Sequence, residues 1–93
     1  MYHNTWRFAR LTGSLLFMEI KKRFGLAVRE YRRSLNVSQE ELAMRIGADQ
    51  AYVSRIEAGQ MNVTLETVEQ VAAALGADAA ELLKVPVGLS KAT

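Results

Sequence analysis

The stretch Ser38–Gly59, SQEELAMRIGADQAYVSRIEAG, constrains this chain more than any other. Counted from Gln39 as the first position, Ala43 is fifth, Gly47 ninth, Val53 fifteenth and Ile56 eighteenth. Two helices crossing near a right angle over a short turn come closest at their elbow. A side chain as small as that of Ala43 fits there. The turn needs a residue that accepts positive φ without strain, and glycine at position 47 does. Leu42, Ile46, Val53 and Ile56 then share one apolar seam. One glycine in a helical pattern would be weak support; several coincident constraints in so short a span are strong. The spacing predicts a helix-turn-helix, the unit that lays its second helix in the DNA major groove.

The rest of the chain reads as helices around that unit. Ile20, Phe24, Val28, Tyr31 and Leu35 recur at steps of four, four, three and four, one face of an amphipathic helix from Ile20 to Leu35. Gly25 lies inside that helix and weakens it by propensity. Asn36 and Val37 connect it to the next. Ser38 with Glu41 three residues on forms a capping box for a second helix, which ends at Gly47. Asp49 caps a third, from Gln50 to about Ala58, and Gly59 stops it. Thr64 caps a fourth, with Glu66 in its first turn and Leu65, Val68, Val71 or Ala72, and Leu75 as its buried stripe; Gly76 ends it. Asp78 caps a short fifth helix from Ala79 to about Lys84, before Pro86. The expected fold is all-α, with five helices. Residues 1–17 form an N-terminal extension or arm, 18–85 the helix-turn-helix domain and 86–93 a C-terminal tail.

Composition limits the chemistry. Ninety-three residues suit one small domain with one core. There is no cysteine, so no disulfide and no thiolate metal site. His3 is the one histidine and lies near a terminus, which argues against a metal site or a histidine base. No apolar run reaches the length of a membrane span of about eighteen residues, and no secretory signal pattern is present. The chain reads as a cytoplasmic protein without cofactor, metal or catalytic constellation. Its formal charge of +2 hides an asymmetry. Residues 1–37 carry eight Lys/Arg and two Glu, a balance of +6; residues 38–93 carry four Lys/Arg and eight Asp/Glu, a balance of −4. The basic half suits a polyanion, although the run Lys21-Lys22-Arg23 reads equally well as a solvated helix face.

The residues that carry these patterns also resemble a known family. Val28-Arg29-x-Tyr31-Arg32, Val37-Ser38-Gln39-x-x-Leu42-Ala43, Tyr52-Val53-Ser54-x-Ile56-Glu57-x-Gly59, and Asn62 followed by Leu65 are similar to the Xre family of bacterial and phage regulators. That family includes the lambdoid phage repressors, the Cro-type proteins and the controller proteins of restriction–modification systems. The resemblance covers Phe24 to Leu83, roughly two thirds of the chain. It implies a five-helix, lambda-repressor-like domain that binds double-stranded DNA at a near-palindromic operator as a homodimer. Residues 1–17 depart from the family. Met18-Glu19-Ile20 reads as a natural start, so the preceding segment is either an upstream addition or a genuine arm bearing Trp6, Phe8, Leu11, Leu15 and Phe17.

The amino-terminal end of the third helix is the part that meets base edges. Gln50 suits a bidentate contact to adenine or a contact to another base edge, and Ala51 a thymine methyl. Tyr52 either packs its ring on the domain or reaches DNA. Ser54 lies one turn on with Arg55, which takes either a guanine or a phosphate. Gln39 opens the second helix, where backbone N–H groups favour phosphate; Ser38 beside it is chiefly a cap. The resemblance also implies phosphate contacts for Gln39 and Asn62, the latter equally readable as a turn former. A carboxylate facing phosphates is repelled, so Glu57 is structural; the resemblance implies an ion pair with Arg32. Leu82, Leu83, Val85 and Val87 exceed what so small a domain buries alone and are the expected dimer surface. The alternative to a DNA-binding regulator is a protein-interaction module, such as the antitoxin of a toxin–antitoxin pair.

Overall fold

The structure, a computed structural model, describes residues 19–84. The described residues form five helices and no strand: α1 Ile20–Ser34, α2 Gln39–Arg45, α3 Gln50–Glu57, α4 Leu65–Leu75 and α5 Ala79–Leu82. The extension 1–17, Met18, Val85 and the tail 86–93 lie outside them.

Each of the last four helices starts where a short polar side chain replaces a missing backbone partner. The Ser38 hydroxyl accepts from the Glu41 N–H at 3.0 Å, Asp49 from the Tyr52 N–H at 2.9 Å, and Thr64 from the Thr67 N–H at 3.1 Å. The Asp78 carboxylate accepts from the Ala80 N–H at 3.4 Å. The reciprocal half of the expected capping box gives way to an ion pair, because the Glu41 carboxylate takes Arg45 one turn on at 2.8 Å. Gly47 turns the chain between α2 and α3 at φ +70°, and Gly59 turns it out of α3 at φ +73°. Both are left-handed conformations that a side chain resists. α1, α2, α3 and α5 end one or two residues earlier than their patterns suggest, as fraying last turns do, while α4 ends before Gly76 as expected.

The core joins Phe24 and Val28 of α1, Leu42 and Ala43 of α2, Val53 and Ile56 of α3, and Val68, Val71, Ala72 and Leu75 of α4, with Val37 and Leu82. α3 packs on both α1 and α2, while α5 packs on α4 and α1. The seam of the helix-turn-helix forms as expected, with Ile46 half-buried at its rim.

Three expected core positions are exposed. Ile20 is 52%, Leu35 48% and Leu65 80% exposed. Ile20 and Leu65 are the first residues of their helices. There the Cα–Cβ bond leans out over the open end rather than onto a neighbour. Leu35 is the C-cap of α1. Asn36 then turns the chain at φ 58°, and Val37 enters the core in Leu35's place.

Gly25 also has a different meaning from its propensity. It is buried where α1 crosses the last turn of α3. A Cβ on Gly25 would stand 2.8 Å from the Glu57 carbonyl oxygen and closer still to that of Ile56. The bare backbone lets the two helices touch.

Candidate nucleic-acid interface

The outward side of α3 carries the expected base-reading residues. Gln50, Ala51 and Arg55 are exposed, and Ser54 is half-buried. Tyr52 is half-buried, with its side chain packed against the core. Asn62 is exposed in the loop after α3.

Behind this face lies a connected set of polar side chains. Arg32 and Glu57 are each only 9% exposed. The Arg32 guanidinium donates from Nε to Glu57 Oε2 at 2.6 Å and from Nη2 to Oε1 at 3.0 Å. Its Nη1 donates to the Val37 carbonyl at 2.9 Å. The hydrogen bond to Glu57 raises the Arg32 pKa, against the opposing effect of burial and with help from the carboxylate charge. Glu57 is the last residue of α3, where the helix dipole disfavours an anion. Arg32 supplies the compensating cation from α1.

Glu57 has a second partner that the sequence did not disclose. Gln39 Nε2 donates to Glu57 Oε1 at 2.9 Å. Gln39 Oε1 in turn accepts from Gln50 Nε2 at 2.6 Å. A chain of contacts therefore runs Arg32–Glu57–Gln39–Gln50, from the interior to the exposed start of α3. An amide has one acceptor oxygen and two N–H donors. With one N–H of Gln50 engaged by Gln39, its other N–H and its oxygen have no partner among the described residues. That is the donor and acceptor pair that matches an adenine edge in the major groove. The available signal was two glutamines opening the two helices of the motif, eleven positions apart.

Among the described residues, the charge is sorted by use. Arg32, Arg45 and Lys84 are paired with carboxylates. Lys21, Lys22, Arg29, Arg33 and Arg55 enter no such pair. No described group of His, Asp or Glu has the arrangement of a metal site, and no described helix is long and apolar enough to cross a membrane.

The helix-turn-helix family HTH_3 matches residues 28–82, more than half of the chain. The chain belongs to this family, the Xre-like helix-turn-helix regulators. The resemblance drawn from its motifs is thereby borne out. A hypothetical transcription factor of Neisseria meningitidis serogroup B is 44% identical over 59 residues, 63% of this chain and 56% of that protein. The chain thus spans little more than half of that relative. Control protein C.BamHI of Bacillus amyloliquefaciens is 42% identical over 65 residues, 69% of this chain and 80% of its own length. Among solved structures, the restriction-modification controller protein C.AhdI from Aeromonas hydrophila has a TM-score of 0.63 at 40% identity, over 67% of this chain and 90% of that one.

The HTH_3 match encloses Arg32, Gln39, Gln50, Arg55, Glu57 and Asn62. The expected dimer residues fare differently. Leu82 is 0% exposed and belongs to the domain's own core, so it has no surface to offer a partner. It joins the core through α5, which packs on α4 and α1. Leu83 is half-buried, and Val85 and Val87 lie outside the described residues.

Proposed function

We propose that this HTH_3 protein is a sequence-specific transcriptional regulator that binds a near-palindromic DNA operator as a homodimer in the cytoplasm. One observation carries the reading: the amide of Gln50 is oriented by Gln39 at the outer end of a buried chain of polar contacts. A side chain whose hydrogen-bonding face is set in advance loses less freedom on binding. Gln50, Ala51, Ser54 and Arg55 read base edges, with Tyr52 reaching them by its outer edge. Ser38, Gln39 and Asn62 approach the phosphates on either side and set the register. Relatives named as control proteins and a transcription factor support the regulatory role. The dimer surface comprises Leu83 with Val85 and Val87. It holds two recognition helices about 34–36 Å apart, one turn of the duplex.

Binding by Gln50→Ala and Arg55→Ala variants tests the reading. Each should weaken binding to the preferred duplex by about 1–3 kcal/mol and affect unrelated duplex less. Equal losses on both duplexes would remove the base-reading role. Gln39→Ala should weaken specific binding as well, since it frees the Gln50 amide.

A further inference from the structure

Arg29 and Arg33 stand four residues apart on the exposed side of α1. Like charges at that spacing repel each other and weaken the helix. Neither arginine has an ion pair or hydrogen bond among the described residues; Arg33, in the last turn of α1, meets the favourable end of the helix dipole, whereas Arg29, further from the end, does not. They flank an open cleft of about 560 Å³. Its other walls include Ser38 and Gln39 at the start of α2, Ser54 on α3 and Ala58 just after it. The cleft therefore continues the proposed DNA-facing surface sideways from α3, past the start of α2, onto α1.

We propose that Arg29 and Arg33 hold a phosphodiester of the same duplex that α3 reads, extending the contact along the DNA backbone from α2 to α1. This inference rests on the DNA-binding reading above. The guanidinium group suits such a contact, being planar, permanently charged and able to grip phosphate through two parallel hydrogen bonds. Ser38 and Gln39 border the same cleft, so a strand passing them reaches the arginines without leaving the surface. The Glu57 carboxylate in the cleft wall is already neutralised by Arg32. Glu40 lines the cleft with no such partner and opposes the phosphate. The contact carries no sequence information, because every phosphate along the strand is alike.

The test is equilibrium binding of the full chain to its preferred duplex and to an unrelated duplex across a salt series. Arg29→Ala with Arg33→Ala should weaken both complexes by the same factor. The slope of log K against log salt should become shallower by about 0.9 for each phosphate released. Glu40→Gln should tighten both complexes. Both arginines are exposed, so helicity and melting temperature of the double variant should match the parent, and relief of the like-charge pair favours that result. An unchanged slope with unchanged affinity would overturn the inference. So would a loss confined to the preferred duplex, since that marks base reading. If the arginine variants leave the slope intact while Gln50→Ala still reduces discrimination, the α1 contact fails and the DNA reading stands. If the parent chain discriminates between no duplexes, the DNA reading itself fails.

Discussion

Replacing Arg32 by alanine should unfold this domain more readily than almost any other single change. The substitution removes two hydrogen bonds to Glu57, of 2.6 and 3.0 Å, and one to the Val37 carbonyl of 2.9 Å. It leaves a carboxylate, whose side chain is 5% exposed, at the negative end of α3. Breaking a buried pair from one side costs about 3–5 kcal/mol. Gln39 still donates to Glu57 at 2.9 Å, which softens the loss and points to the lower end, about 3 kcal/mol. For a domain of this size each kcal/mol moves the melting temperature by roughly 4–8 °C, so a fall of at least about 12 °C is expected. Far-UV circular dichroism during heating measures it directly. A melting temperature within about 4 °C of the parent would mean that the pair does not hold α1 to α3. Exchanging both partners for methionine should restore most of the stability, since apolar replacement of a buried pair is often neutral. It should still weaken operator binding, because Gln39 loses the acceptor that orients it. The pH behaviour follows from the raised pKa of Arg32. The pair's contribution is fully present below the arginine's ordinary range and is lost only as pH rises through its folded value. The melting temperature should therefore show no loss from this pair between neutral and mildly alkaline pH.

Gly25→Ala should destabilise the protein by about 1–3 kcal/mol through overpacking against the α3 backbone. Helix propensity alone predicts a gain, so the sign of the shift in urea midpoint decides between the two effects. Leu82→Ala should cost about 2–5 kcal/mol in the same assay, as a core truncation does. Leu83→Glu should leave helicity intact while sedimentation shows monomer in place of dimer; an unaltered sedimentation profile would exclude Leu83 from the interface. Asp49→Ala should lower stability by about 1 kcal/mol through loss of the cap on α3.

Local features of the fold are legible in the sequence itself. Ser38, Asp49, Thr64 and Asp78 announce helix starts because capping depends on residues three apart or fewer. Gly47 and Gly59 announce turns because positive φ is a property of one residue. Periodicity located the core face of each helix, but it does not say how far the neighbouring helix extends. Ile20 and Leu65 fit their stripes and still project beyond the packing. Gly25 reads as a weakness in isolation, since its use depends on α3 arriving 31 positions later at Ile56. The same holds for Gln39. Its role is set by two partners, 18 and 11 positions away, and only the crossing of α2 with α3 brings them together. Arg32 with Glu57 was accessible through family likeness and not through spacing.

Whether α3 reads DNA sequence is decided by letting the full chain select from a pool of random-sequence duplexes and sequencing the bound fraction. The expected outcome is an enriched motif with two halves related by a dyad, spaced about one helical turn apart. Selection with Gln50→Ala should relax one position in each half and leave the spacing unchanged. A bound pool indistinguishable from the input would mean that α3 does not read sequence at all.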